Sequence, residues 1–141
     1  MKKNIIKLSI LIIMMVAIST TTVVFAVGTW TREVSVSTPN FGGVTYNNSI
    51  RNSKQTRSTR GSIYATYQKT ALAHSVALTY NNIYGNKVIG SDWTSMQVDT
   101  IKRPYLKTTN LYLAFWSAAK SNNLEPTSGT IVKYKFSADE L

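Results

Sequence analysis

The stretch Leu72-Ala73-His74-Ser75-Val76-Ala77-Leu78-Thr79-Tyr80 decides the fold. Its larger side chains recur at every second position. Leu72, His74, Val76, Leu78 and Tyr80 share one face, and Ala73, Ser75, Ala77 and Thr79 share the other. Side chains of a strand point alternately to its two faces, so this period marks a strand with one face toward a core. An amphipathic helix would instead group its apolar residues three and four apart.

The same period recurs on both sides of that stretch. Residues 62–69 (SIYATYQK) set Ile63, Ala65 and Tyr67 against Tyr64, Thr66 and Gln68. Residues 30–37 (WTREVSVS) group Val34 with Val36, and residues 44–50 form a weaker strand. Residues 94–101 group Met96 with Val98, and residues 108–116 group Leu111, Leu113 and Phe115. Residues 130–136 (TIVKYKF) set Val132, Tyr134 and Phe136 against Ile131, Lys133 and Lys135. Turn formers stand between these segments: Pro39-Asn40, Gly42-Gly43, Gly85-Asn86, Gly90-Ser91-Asp92, Pro104, Pro126 and Gly129. About seven short strands at this spacing predict an all-β chain folded as a small antiparallel β-sandwich. Residues 110–120 (NLYLAFWSAAK) read either as a strand or as a short helix.

The N-terminus is built differently. Lys2, Lys3 and Lys7 precede an apolar run at 8–18 (LSILIIMMVAI), four hydroxyl residues follow at 19–22, and Val24-Phe25-Ala26 comes next. That order is the one a secretory signal peptide needs, and it predicts a signal helix with cleavage between Ala26 and Val27. A membrane-spanning helix would need about 20 predominantly apolar residues, more than the run at 8–18 supplies. The organisation expected is therefore a signal peptide, 1–26, and a single secreted domain, 27–141, found outside the cell or on its wall. A chain of that length can bury a core without staples. With Cys 0, it forms no disulfide and holds no thiolate.

Charge narrows the partners. The chain has Lys+Arg 16 against Asp+Glu 6, and three of the lysines belong to the leader. From Val34 to Ser91 no acidic residue occurs. Arg51, Lys54, Arg57 and Arg60 fall in one segment, RNSKQTRSTR, at 51–60. The Asn, Ser, Gln and Thr between them favour loop over helix, so the segment reads as an exposed basic loop with a field suited to polyanions. After export the polyanions at hand are anionic cell-wall polymers and membrane surfaces. Nucleic acid is not an expected partner.

The residues for catalysis are few. His74 is the one histidine, and it lies on the apolar face of its strand, so no His-based triad or multi-His metal site can be assembled. Asp92 and Asp99 do not naturally converge on one bond as paired glycosidase carboxylates must. No D-x-D-x-D pattern suggests calcium. The expectation is a non-enzymatic protein with no metal and no cofactor. Aromatic residues are the better guide: Tyr 8 and Trp 3 exceed what a small core needs, and Tyr64 and Tyr67 could stand beside the basic loop to add contact area. The candidate binding residues are therefore Arg51, Lys54, Arg57, Arg60, Tyr64 and Tyr67.

Two resemblances follow. Signal peptide, alternating Ser/Thr/Tyr strands, basic middle, late Leu111-Tyr112-Leu113-Ala114-Phe115-Trp116 strand and Ser128-Gly129-Thr130 hairpin together resemble small secreted β-sandwich proteins of Gram-positive bacteria. This implies a fold and no activity. Locally, Gly28-Thr29-Trp30 after the cleavage site resembles the start of mature bacteriocins of the lactococcin 972 family. That likeness implies a cysteine-free basic β-sandwich acting on cell-wall synthesis. The function expected is a secreted non-enzymatic protein that contacts an anionic envelope component through its basic loop, with a bacteriocin-like antimicrobial as the alternative.

Overall fold

A computed structural model describes residues 27–141. The signal peptide expected at 1–26, with its expected helix and the Ala26 side of the expected cleavage point, lies outside the described residues. Within them the chain forms strands and no helix: β1 (Val34–Thr38), β2 (Val44–Ser53), β3 (Ser62–Gln68), β4 (Ser75–Asn81), β5 (Lys87–Ile89), β6 (Thr94–Ser95), β7 (Ile101–Lys102), β8 (Ala114–Lys120) and β9 (Thr130–Ser137).

The strands make two sheets. One has the order β1-β9-β3-β7, and the other has β2-β8-β4-β5 with β6 also paired to β4. Pairing of neighbouring strands is antiparallel throughout. The chain repeatedly crosses between the sheets, an order that makes the sandwich a double-sheet jelly roll. Alternation along the strands fills the space between them. Val34, Ile63, Ala65, Val76, Leu78, Phe115, Ala119, Val132, Tyr134 and Phe136 meet there, with Met96 from the segment after β6. The Phe115 ring meets Tyr80 edge-on at 5.8 Å.

Four local readings change. Residues 110–120 are neither a helix nor a strand throughout. The Tyr112 N–H donates to the Lys54 carbonyl and the Leu113 N–H to that of Asn110, which closes a turn before β8 starts at Ala114. The Ala-rich remainder is pulled into a strand because β2 and β4 pair with it from both sides, and pairing outweighs helix propensity. Residues 94–101 break into β6 and β7, with Asp99 between them at φ 59 and its N–H on the Ala65 carbonyl. Aspartate tolerates that left-handed backbone better than most residues. The segment 87–89 pairs with β4 as an additional strand. In β3 a bulge between Ala65 and Tyr67 shifts the register, so that Tyr67 pairs beside Lys133 rather than joining Ile63 and Ala65 in the core.

A larger irregularity lies in β2. Asn47 pairs with Ser117 and Asn52 with Phe115, so the residues between them loop out of the ladder. The buried Asn47 amide closes this loop. Its Oδ1 accepts from Ser49 N, Ser49 Oγ and Ile50 N, and its Nδ2 donates to the Ile50 carbonyl and Ser117 Oγ.

Candidate functional site

The basic segment does not present its four cations together. Arg51 is exposed at the end of the β2 bulge, just before pairing resumes at Asn52, and Arg57 is exposed on the following loop. Arg60 lies against β7's extension, its guanidinium 4.2 Å from the centre of the Tyr105 ring and bonded to the Tyr105 hydroxyl. Lys54, expected on the exposed loop, is wholly buried. Its Nζ donates to the Ala138 carbonyl at 2.9 Å and to Ser58 Oγ at 3.2 Å, and lies 3.6 Å from Asp139. Asp139 in turn accepts from Gln55 N, Thr56 N and Thr56 Oγ1, so the C-terminal segment shapes the basic loop from inside. Lys54 is therefore an internal anchor and is corrected out of the binding set.

Tyr64 and Tyr67 are not beside Arg51 and Arg57. Both stand on the outer face of the β1-β9-β3-β7 sheet, brought to one side by the β3 bulge. There Tyr64 lines a cleft of about 270 Å³ with Trp30, Ile101 and Lys135. The elements place each wall. Register sets Tyr64 of β3 between Lys135 of β9 and Ile101 of β7. Trp30 is brought in by the segment before β1, tied down where the Thr31 N–H reaches the Phe136 carbonyl and the Phe136 N–H reaches Thr31 Oγ1.

The two rings form an open angle, with centroids 6.3 Å apart and planes inclined at 58°. The Tyr64 hydroxyl donates to Asp99 Oδ1 at 3.0 Å, which fixes the ring. That hydrogen bond, together with the Asp99 charge, raises the Tyr64 hydroxyl above its ordinary 10.0, so it stays protonated. Beside the cleft, Lys133 lies 3.8 Å from Glu33 and 5.8 Å from the centre of the Tyr67 ring. Aromatic faces and an ammonium at one cleft can stack a sugar ring and bond its hydroxyl or anionic substituents.

The outer face of the other sheet also carries aromatic residues. Two of its rings are already engaged, with Lys87 Nζ 4.9 Å from the Trp116 centroid and Lys120 Nζ 4.9 Å from that of Trp93. The Trp30–Tyr64 cleft has no such cap and is the better site. Trp30, Ile101 and Lys135 escaped the sequence reading as a group, although the alternation of Lys133 and Lys135 against Val132 and Tyr134 was a visible signal. Their convergence depends on pairings between distant segments.

His74 takes no part in this cleft. It is buried, with Nδ1 3.1 Å from the Leu72 carbonyl and Nε2 3.1 Å from Thr38 Oγ1. The Leu72 carbonyl can only accept, so Nδ1 carries a proton. Among the described residues no group of three or more His, Cys, Asp or Glu is placed to hold a metal ion.

No family model and no curated protein matches the chain. Among solved structures the chain is similar to one titled "Crystal structure of PirA", with 12% sequence identity, a TM-score of 0.40, and coverage of 74% of this chain and 90% of that one. A likeness that slight carries no argument.

Proposed function

We propose that this is an exported, non-enzymatic binding domain that holds an anionic carbohydrate polymer of the cell envelope on the outer face of the β1-β9-β3-β7 sheet. The observation that carries the reading is the uncapped Trp30–Tyr64 pair beside Lys135 in a cleft of about 270 Å³. Tyr64 and Trp30 stack the sugar, Asp99 keeps Tyr64 in place, and Lys135 takes the anionic group. The acid-free stretch from Val34 to Ser91 supplies a positive field that raises the encounter rate with a polyanion. Arg51 and Arg57 contribute to that field and not to the contact.

The test is retention of the purified protein on isolated cell walls, with and without their teichoic acid, at low and high salt. Retention that needs the polymer and weakens with salt supports the reading. The bacteriocin-like alternative is favoured by one feature, that Trp30 of the Gly28-Thr29-Trp30 segment is a wall of the cleft. It predicts clearing of a lawn of related strains by the purified protein.

A further inference from the structure

One end of the sandwich carries a different surface. The turn joining β4 to β5 presents Ile83, 91% exposed and the most exposed large apolar side chain among the described residues, with Tyr84 at 80%. The turn before β8 presents Tyr112 at 76%, next to the exposed Leu111. The two turns are neighbours, because a cleft of about 380 Å³ between them is lined by Ile83, Tyr84, Thr108, Asn110 and Leu113.

These tips are held rigidly. Gly85 at φ 76 closes the first turn, and the Asn82 carboxamide oxygen accepts the Tyr84 and Asn86 N–H groups at 3.0 Å each. Tyr112 sits at φ 63, a left-handed backbone that is costly for a bulky residue, and is kept there by the bond from its N–H to the Lys54 carbonyl at 2.8 Å. Lys54 is itself fixed by Asp139. A strained backbone that holds an apolar ring out in water points to a use for that ring.

The tips themselves carry no acidic residue, and the exposed Asp92 sits back from them on the edge beside Tyr105. The segments 51–60, 82–86 and 107–113 contain no acidic residue, and they carry the exposed Arg51, Arg57 and Lys107. The C-terminal acids next to them are occupied, Asp139 by Lys54 and Glu140 by Arg103 at 3.7 Å.

We infer that this end docks on an anionic lipid bilayer, with Ile83, Tyr84 and Tyr112 entering the interface and the surrounding cations meeting the headgroups. Separate convex tips suit a deformable bilayer, whereas a protein partner would call for a flatter apolar patch. Tyrosine is a residue that membrane interfaces accept, and cations beside them gain from anionic lipid. This surface is distinct from the Trp30–Tyr64 cleft and does not depend on it.

The test is co-sedimentation of the protein collected from culture medium with vesicles of phosphatidylcholine alone and of equal phosphatidylcholine and phosphatidylglycerol. Binding is expected with the anionic vesicles only. The double variant Ile83→Ser/Tyr84→Ser should bind roughly tenfold more weakly or worse, since each buried apolar side chain contributes that much, while its melting temperature stays unchanged. A second variant, Ile83→Trp, should gain a blue shift in fluorescence over the parent when anionic vesicles are added. Tyr64→Ala should bind vesicles normally. Equal binding to neutral vesicles, unchanged binding by the double variant, no blue shift, or loss of vesicle binding in Tyr64→Ala would each overturn the proposal.

Discussion

The Lys54 ammonium lies 3.6 Å from the Asp139 carboxylate, and neither side chain is exposed. This pair joins the basic loop to the C-terminal segment, and burial lowers the Lys54 ammonium below its ordinary 10.5 despite the opposing pull of Asp139. Removing one partner leaves a buried charge without its counter-charge, which costs about 3 kcal/mol or more. Lys54→Met should therefore destabilise the fold by about that amount in urea unfolding. Arg57→Met, which removes the same charge from an exposed site, should stay within about 0.5 kcal/mol of the parent. Equal effects from the two variants would contradict the internal role of Lys54.

Asn47 closes the β2 bulge with both ends of its amide. The neighbouring Asn48 amide is turned outward instead, where its Oδ1 accepts from Lys87 Nζ. Asn47→Ala should cost about 1–3 kcal/mol, because it leaves the part-buried Ser49 N–H and the Ile50 N–H and carbonyl without these partners. Asn48→Ala, one residue along on an exposed position, should cost far less. Thermal melts of both variants make the comparison.

His74 gives the fold an acid limit. Burial pushes its imidazole below the ordinary 6.5, with smaller opposing effects from the Leu72 carbonyl and the Glu125 charge. The unfolded chain therefore takes up this proton more readily than the folded one. Its contribution is constant above about pH 6.5, falls as pH drops below that value, and levels off beneath the lowered folded value. Across that window His74→Gln should show a shallower loss of stability with acid than the parent. Parallel slopes would contradict this account.

The sandwich was legible because its strongest signals are local. The alternation in β4, β3 and β9 needs only neighbouring residues, and it assigned Val76, Leu78, Val132 and Phe136 to the core correctly. What was not legible depends on pairing across the chain. The β3 bulge that brings Tyr67 out leaves no mark in the alternation of residues 62–69. Lys54 looks like Arg51 and Arg57 until Asp139 is placed beside it, and those two residues lie far apart in sequence. Residues 110–120 were ambiguous because Ala118 and Ala119 have helix propensity, and only the strands on either side decide. At the site, Tyr64 and Tyr67 were visible as surplus aromatics. Trp30, Ile101 and Lys135 join Tyr64 only once β3, β7 and β9 are in register.

The central claim is that the outer-face cleft, and not the basic loop, makes the contact. Retention on teichoic-acid-bearing cell walls tests it most directly, measured side by side for the parent, Tyr64→Ala and the double variant Arg51→Ser/Arg57→Ser. The account predicts that Tyr64→Ala loses roughly tenfold or more in apparent affinity, as an anchor residue of a small site should, with its melting temperature unchanged. The arginine variant should bind more slowly but retain its hold at low salt. Full retention by Tyr64→Ala together with loss in the arginine variant would contradict the claim and move the contact to the basic loop.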